Sequence, residues 1–344
     1  MSRRRWLIVV LSFAVALGVS AYLVWSGWTK HGAPPLLPWW AHVAVLGLVG
    51  VEILARGLKL HWSAAAIRVK LRLGSAIRVI LGGDFAAAIT PGRSGAEPAR
   101  FVVLAEAGLP AASIILVLFI ELFLELVSLV LIVGAMAVVF RGAGGVIGLM
   151  VGVIGAWMVL VGAAAVIGWY LSHRNTRGKP PEWARKLGFK AGAWRRVQHA
   201  MRALRASVAS LRQARRLALV AATIASAVHV AMRLSVLVVI VQSVAPETAL
   251  APLLLWSLVI MYGSSIAPAP GGGGAVEFSF KLAFASLLAA DVLAGSLIWW
   301  RVYTFYLYML LGALAAGSTV LRALRERPEE LLAEAPDAPE AEPA

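Results

Sequence analysis

Hydrophobic residues in this chain run in blocks far longer than a β-strand or an amphipathic surface helix needs. Apolar segments at about 6–25, 39–58, 112–140, 146–171, 217–241 and 292–321 each reach or exceed the roughly 18 residues at which a run reads as a membrane-spanning helix. Two further blocks are broken. The first has limbs at 77–89 and 99–107, separated by Thr90-Pro91-Gly92-Arg93-Ser94-Gly95-Ala96-Glu97-Pro98. The second has limbs at 252–266 and 275–288, separated by Ala267-Pro268-Ala269-Pro270 and Gly271–Gly274. A limb of 77–89 rises about 20 Å, too little for a hydrocarbon core of about 30 Å. Proline ends a helix and glycine allows the turn that follows. Each block therefore predicts a helix–break–helix hairpin that enters the membrane and returns to its own side. The expected fold class is an all-α multi-pass membrane protein, with about six full transmembrane helices plus two re-entrant helical hairpins in an inverted repeat. The membrane domain spans 1–322, with hairpins at about 76–107 and 252–288, and a tail at 323–344.

Composition agrees with the pattern. Of 344 residues, 60% are hydrophobic and 14% charged, against about 25% charged in a soluble domain. Mean hydropathy is +0.83. A soluble globular enzyme is excluded. There is no cysteine, so disulfides, thiolate metal sites and cysteine nucleophiles are excluded too.

Charge sets the expected orientation. The formal net charge is +15. Basic residues gather in the loop at about 172–216, in Arg3–Arg5, and between Arg56 and Arg78. If both hairpins return to their own side, all of these fall on one face, as the positive-inside rule requires. The N- and C-termini are then cytoplasmic, in the cytoplasmic (inner) membrane. The segment at 6–25 reads as an uncleaved anchor, because no polar cleavage region follows it. Positions 195–216 have an apolar stripe (Val197, Met201, Leu204, Val208, Leu211). They predict a helix on the inner leaflet or packed on the protein's own inner face. This basic loop is also where a protein partner could dock. Nucleic acid is not an expected partner, since the basic runs flank membrane spans and lack interleaved aromatics. The tail holds seven acids among Ala and Pro, the composition of an unstructured segment.

The two breaks resemble each other. One reads Pro91-Gly92-Arg93-Ser94-Gly95-Ala96-Glu97, the other Pro270-Gly271-Gly272-Gly273-Gly274-Ala275-Val276-Glu277. Opposite entry sides make this an inverted-topology repeat, whose Gly/Pro-interrupted segments point to a midplane binding site. The second limb of each hairpin starts with free N–H groups and a positive dipole end, which suits a phosphate or carboxylate. Arg93 adds a bidentate cation, or else snorkels to the surface. Glu97 and Glu277 steady the helix starts, pair with Arg93, or take up protons. Lys281, one turn beyond Glu277, is its natural intrahelical partner.

Other charges lie within apolar segments, where they are costly and default to function. Asp84 reads as a hydrogen-bonding group internal to the first hairpin. Glu52 and Arg56 form an i, i+4 pair. Glu121 and Glu125 share a helix face, and His229 with Arg233 could match them, as a buried ion network or a proton relay. Tyr303, Tyr306 and Tyr308 read as interfacial or packing residues. No metal or cofactor is expected: the six histidines are scattered, no Gly-x-Ser-x-Gly elbow is present, and Gly271–Gly274 lacks a following Gly-Lys-Ser/Thr.

On the segments at 91–97 and 270–277, the chain resembles the transmembrane region of lysylphosphatidylglycerol synthases and their stand-alone relatives, often called flippase-like integral membrane proteins. The resemblance covers about 6–322. It implies translocation of lipids or lipid-linked precursors, with membrane lipids, anionic ones above all, as partners and with Pro91, Gly92, Arg93, Gly95, Glu97, Pro270, Gly271, Gly272, Gly274 and Glu277 around the substrate. Aminoacyl transfer belongs to a separate soluble domain in the synthases, and the tail after Arg327 is too short to be one. Two departures from the family pattern are Asp84, where a neutral polar residue is expected, and the alanine before Glu97. Substrate translocation is the leading expectation; a membrane-embedded enzyme acting on a lipid headgroup and an accessory scaffold are the alternatives.

Overall fold

The computed structural model describes residues 36–140, 214–263 and 274–325, together with Gly272 and isolated helical positions at Gly18, Tyr22 and between Gly145 and Val166. The expected first span, the basic loop, the acidic tail, most of the span at 146–171, and Pro270 and Gly271 of the second break lie outside the described residues. Among those described, every regular element is helical.

Helix α1 spans Trp39–Ala66 and opens directly after Pro38, which is extended. It runs eight residues past the predicted end at Leu58, so Arg56 and Lys59 sit inside a helix and not in a loop. The reason lies in other segments, whose carboxylates neutralise both cations. The helix ends in a Schellman turn. The Arg68 N–H bonds the Ala65 carbonyl at 3.1 Å and the Val69 N–H bonds the Ala64 carbonyl at 3.0 Å. The left-handed position of that motif usually belongs to glycine, yet here it is Arg68, at φ 62°.

Helix α2 (Leu73–Ile89) and helix α3 (Ala96–Glu106) are the limbs of the first broken block. They pack antiparallel. Arg78 near the base of α2 meets Glu106 at the end of α3, at 3.1 Å. Higher up, a Cβ at Gly83 would stand 2.7 Å from Arg100 Cγ, so glycine is what lets the Arg100 stem lie across α2. Helix α3 ends in a second Schellman turn, this time with glycine (Gly108, φ 86°) in the left-handed position.

Helix α4 spans Ala111–Val139, α5 Arg216–Val244, α6 Leu250–Gly263 and α7 Ala275–Phe284. Helix α8 (Ala290–Arg301) passes through a wide π turn at Val302–Tyr306 into α9 (Leu307–Arg325). Among the described residues, three stretches are long and apolar enough to cross a membrane by themselves: Ala111–Val139, Arg216–Val244 and Ala290–Arg322. At 1.5 Å per residue, α4 and α5 are each about 43 Å long, enough for a bilayer core with some tilt.

The α1–α5 pair is the spine. The two helices lie antiparallel: the Arg215 N–H at the start of α5 bonds the Ala66 carbonyl at the end of α1, at 3.1 Å. Val45 and Val49 join Val236, Leu237, Ile240 and Val241 in one core at the other end. A second core gathers α2, α3 and the first half of α4 around Leu60, Ile80, Leu104, Ile114 and Val117. Helix α9 closes against α2 because Gly312 abuts the Leu81 carbonyl. A Cβ there would also stand 2.8 Å from Phe85 Cβ.

Candidate functional site

The site forms where the turn between α2 and α3 reaches the middle of the spine. Glu52 and His229 stand at the midpoints of α1 and α5, and the turn comes down beside them. Thr90 builds that turn. Its hydroxyl donates to the Ala86 carbonyl at 2.6 Å and accepts the Gly95 N–H at 2.9 Å, tying the end of one limb to the start of the next. Gly92 and Arg93 between them are both left-handed, each at φ 57°. Glycine adopts this readily; a left-handed arginine costs of the order of 1 kcal/mol or more. Arg93 is exposed; its N–H bonds the Thr90 carbonyl at 3.3 Å, while its side chain makes no hydrogen bond or ion pair with another described residue.

Helix α1 carries Glu52, Arg56 and Lys59 on one face, at i, i+4 and i+7. Their partners come from four other elements. Arg56 forks onto Asp84 of α2 at 2.6 and 2.9 Å, and stands 3.8 Å from Glu52. Glu52 accepts from Arg233 of α5 at 3.2 Å and from the Tyr308 hydroxyl of α9. Arg233 also donates to the Thr304 carbonyl in the π turn, at 3.3 Å. Lys59 pairs with both α4 carboxylates, Glu125 at 2.8 Å and Glu121 at 3.2 Å. Glu121 is further paired with Arg100 of α3, and Glu125 accepts from the Tyr262 hydroxyl of α6 at 3.0 Å. Arg100 reaches back to Glu97 at 3.1 Å.

A cavity of about 340 Å³ lies among these groups, walled by the α2–α3 turn, α1, α4, α5 and the end of α6. Four arginines line it: Arg56, Arg93, Arg100 and Arg233. So do His229 and the acids Glu97, Glu121 and Glu125. Three of the lining side chains hold buried nitrogens with no hydrogen-bond partner among the described residues: Arg100 Nε, Arg233 Nε, and both ring nitrogens of His229. His229 lies 4.0 Å from Glu52 and 3.9 Å from Glu125, beyond hydrogen-bonding distance of either. Burying such donors unsatisfied is costly, so an oxygen-rich anion is the chemistry this wall suits.

The predicted site residues divide. Gly92, Arg93, Glu97, Glu121, Glu125, His229 and Arg233 come together around the cavity. Gly95 starts α3 and is held by Thr90. Asp84 is not internal to its hairpin: it reaches across to Arg56, because that arginine would otherwise be buried without a counter-ion. Of the expected match of Glu121 and Glu125 by Arg233 and His229, only the approach of His229 to Glu125, at 3.9 Å, is found; Lys59 and Arg100 are the main partners, and Arg233 goes to Glu52. Glu277 does not form its main contact with Lys281, which is exposed. The Glu277 side chain turns back to accept the Gly274 N–H at 2.7 Å and pairs with Arg301 of α8 at 2.9 Å. Arg301 is the better partner because Glu277 is buried, and a lysine one turn on, facing outward, cannot reach it. Tyr308 is not a peripheral anchor but a buried donor to Glu52. Tyr303 is buried as well, 2.6 Å from His42 Nδ1. Lys59, Arg100 and Tyr262 escaped the sequence reading. The i, i+4, i+7 spacing on α1 is the signal that could have found Lys59. Among the described residues no group of three or more His, Asp or Glu side chains could hold a metal ion.

The comparison with curated proteins returns no match. The family model for the lysylphosphatidylglycerol synthase TM region matches residues 6–312. That span contains the α2–α3 turn, the buried ion network and the cavity they enclose, so this integral membrane protein belongs to the lysylphosphatidylglycerol synthase TM region family.

Proposed function

We propose that this protein translocates a lipid with an anionic phosphate headgroup, a phospholipid or a polyprenyl-linked phosphate, across the cytoplasmic membrane. The observation that carries the reading is the cavity at the midpoint of the spine, where four arginines converge and one of them, Arg93, has no ion-pair partner among the described residues. Guanidinium forks match phosphate oxygens better than any other side chain. A headgroup there would also satisfy the spare Arg100 and Arg233 nitrogens. The start of α3, at Ala96 and Glu97, meets the same space and adds the positive end of a helix.

Transport fits the architecture. Matching neighbours recur in the two halves: α1 on α2 as α5 on α6, α2 on α3 as α6 on α7, α3 on α4 as α7 on α8, and α1 on α4 as α5 on α8. With α1 and α5 antiparallel, this pattern supports two inverted repeats, each with a re-entrant hairpin. The loops rich in arginine and both termini would then be cytoplasmic. In this reading Glu97 and Glu125 face the headgroup and gate its passage, whereas Glu277 holds the second hairpin to α8.

The test is translocation in vesicles. Fluorescent short-chain phosphatidylglycerol placed in one leaflet should cross about tenfold faster with wild-type protein than with Arg93→Gln, the loss of one charged hydrogen-bonding partner. Equal rates for the two proteins, or no rate above empty vesicles, would count against the proposal.

A further inference from the structure

A second cavity lies at the opposite end of the same hairpin. Its volume is about 810 Å³, and none of its lining residues is shared with the first. It opens between the end of α1, the α1–α2 connection, the start of α5 and the end of α3. Arg68, Lys70, Arg72 and Arg215 line it. No acid does so among the described residues, and none of the four cations makes an ion pair there. Ala65, Val69, Leu71 and Ala107 give it apolar lining, and His61 and Ser75 complete the wall.

We infer that this cavity is a second lipid site, which takes the phosphate headgroup of an anionic membrane lipid at the base of the hairpin. Three features carry the inference. Four cations from two separate stretches of chain converge on one concavity. Arginines that only fix topology need to lie near a membrane end, and need not share a pocket. Next, Arg68 holds the left-handed position of a Schellman turn, where glycine is the better fit to the backbone. Among the described residues the Arg68 side chain has no hydrogen bond or ion pair to offset that backbone. Finally, a wall that combines four cations with apolar side chains suits a headgroup with its glycerol and upper acyl carbons, more than a free ion. Basic pockets between transmembrane helices bind lipid headgroups in this way. The connection that Arg68, Lys70 and Arg72 occupy is fixed to the spine: His61 Nδ1 lies 2.7 Å from the Leu71 carbonyl, and Arg215 is anchored by its own N–H to Ala66. The wall is thus held in place before a lipid arrives.

This site stands independently of the transport reading, and the experiment separates the two. Full-length protein in a neutral detergent is incubated with phosphatidylglycerol or phosphatidylcholine, and retained lipid is counted by native mass spectrometry. Phosphatidylglycerol retention at the base should fall about tenfold or more in the triple variant Arg68→Gln, Arg72→Gln, Arg215→Gln, each cation contributing about a kilocalorie near a membrane surface. Arg93→Gln should leave this component unchanged. Arg68→Gly alone, which relieves the backbone, should raise the melting temperature and still weaken retention. Equal retention of phosphatidylcholine, or unchanged retention in the triple variant, would overturn the site. Displacement of the lipid by millimolar inorganic phosphate would overturn the lipid assignment in favour of a soluble anion. Stronger retention after deletion of 326–344 would overturn it in favour of the acidic tail as occupant.

Discussion

The two breaks carry nearly the same letters, yet their glutamates live in opposite surroundings. Glu97 follows Pro91-Gly92 and its side chain is 65% exposed, facing the cavity with Arg100 as its partner among the described residues. Glu277 follows the second glycine run and its side chain is 2% exposed, paired with Arg301 and folded back on the Gly274 N–H. The first break holds a left-handed arginine with no ion pair among the described residues. The second limb is sealed by Phe280, Phe284 and Trp300, whose rings pack at centroid distances of 4.7 and 5.4 Å. A shared motif therefore marks a shared local shape, a helix restarted by a glutamate, and not shared surroundings. Packing against the neighbouring helix decides whether that glutamate stands open to a cavity or is buried in an ion pair.

The sharpest way to break this contrast is to remove charge on the sealed side. Arg301→Ala takes the guanidinium away from a buried carboxylate, Glu277, and should cost about 3–5 kcal/mol. It should appear as a loss of folded protein and a large fall in melting temperature. The double change Glu277→Gln with Arg301→Met should recover most of it, since removing both members of a buried pair is far milder than removing one. Lys59→Met takes the cation from Glu125, which keeps the Tyr262 hydroxyl, and leaves Arg100 to hold Glu121, so about 3 kcal/mol is expected. Denaturation in detergent measures both.

Smaller effects sharpen the comparison. Gly312→Ala forces a methyl against the Leu81 carbonyl and should destabilise the α2–α9 contact by about 1–3 kcal/mol, without touching either glutamate. Arg93→Gly should do the reverse of these: it relieves the left-handed backbone and should raise stability by about 0.5–1 kcal/mol, while headgroup binding falls. Glu97→Ala is the mildest, within about 0.5 kcal/mol by thermal melting, because an exposed ion pair contributes little.

The sequence made the helices legible and left their partners hidden. The first hairpin's limbs were predicted at 77–89 and 99–107 and are found at Leu73–Ile89 and Ala96–Glu106. Hydropathy and the Pro-Gly break are local signals, and they sufficed. The α1 end failed for a physical reason. Arg56 and Lys59 look like the loop charges that end a span, and only carboxylates 28 and 66 residues away make them tolerable within a helix. The pairing of Glu277 failed likewise. Lys281 is near in sequence, while Arg301 is near in space. Arg93 and Glu97 were legible as neighbours of one space because a turn's own residues line the cavity that the turn reaches. Tyr308 and Arg100 were not, because their role depends on which helix they face.

The most direct test of the central claim is calorimetric titration of the purified protein with short-chain phosphatidate, comparing wild type, Arg93→Gln and the stable double variant Glu277→Gln with Arg301→Met. The account predicts that Arg93→Gln weakens binding about tenfold, the loss of one charged hydrogen-bonding partner, while the double variant binds as wild type does. Binding lost in the double variant and kept in Arg93→Gln would contradict it, and would move the headgroup site to the second hairpin.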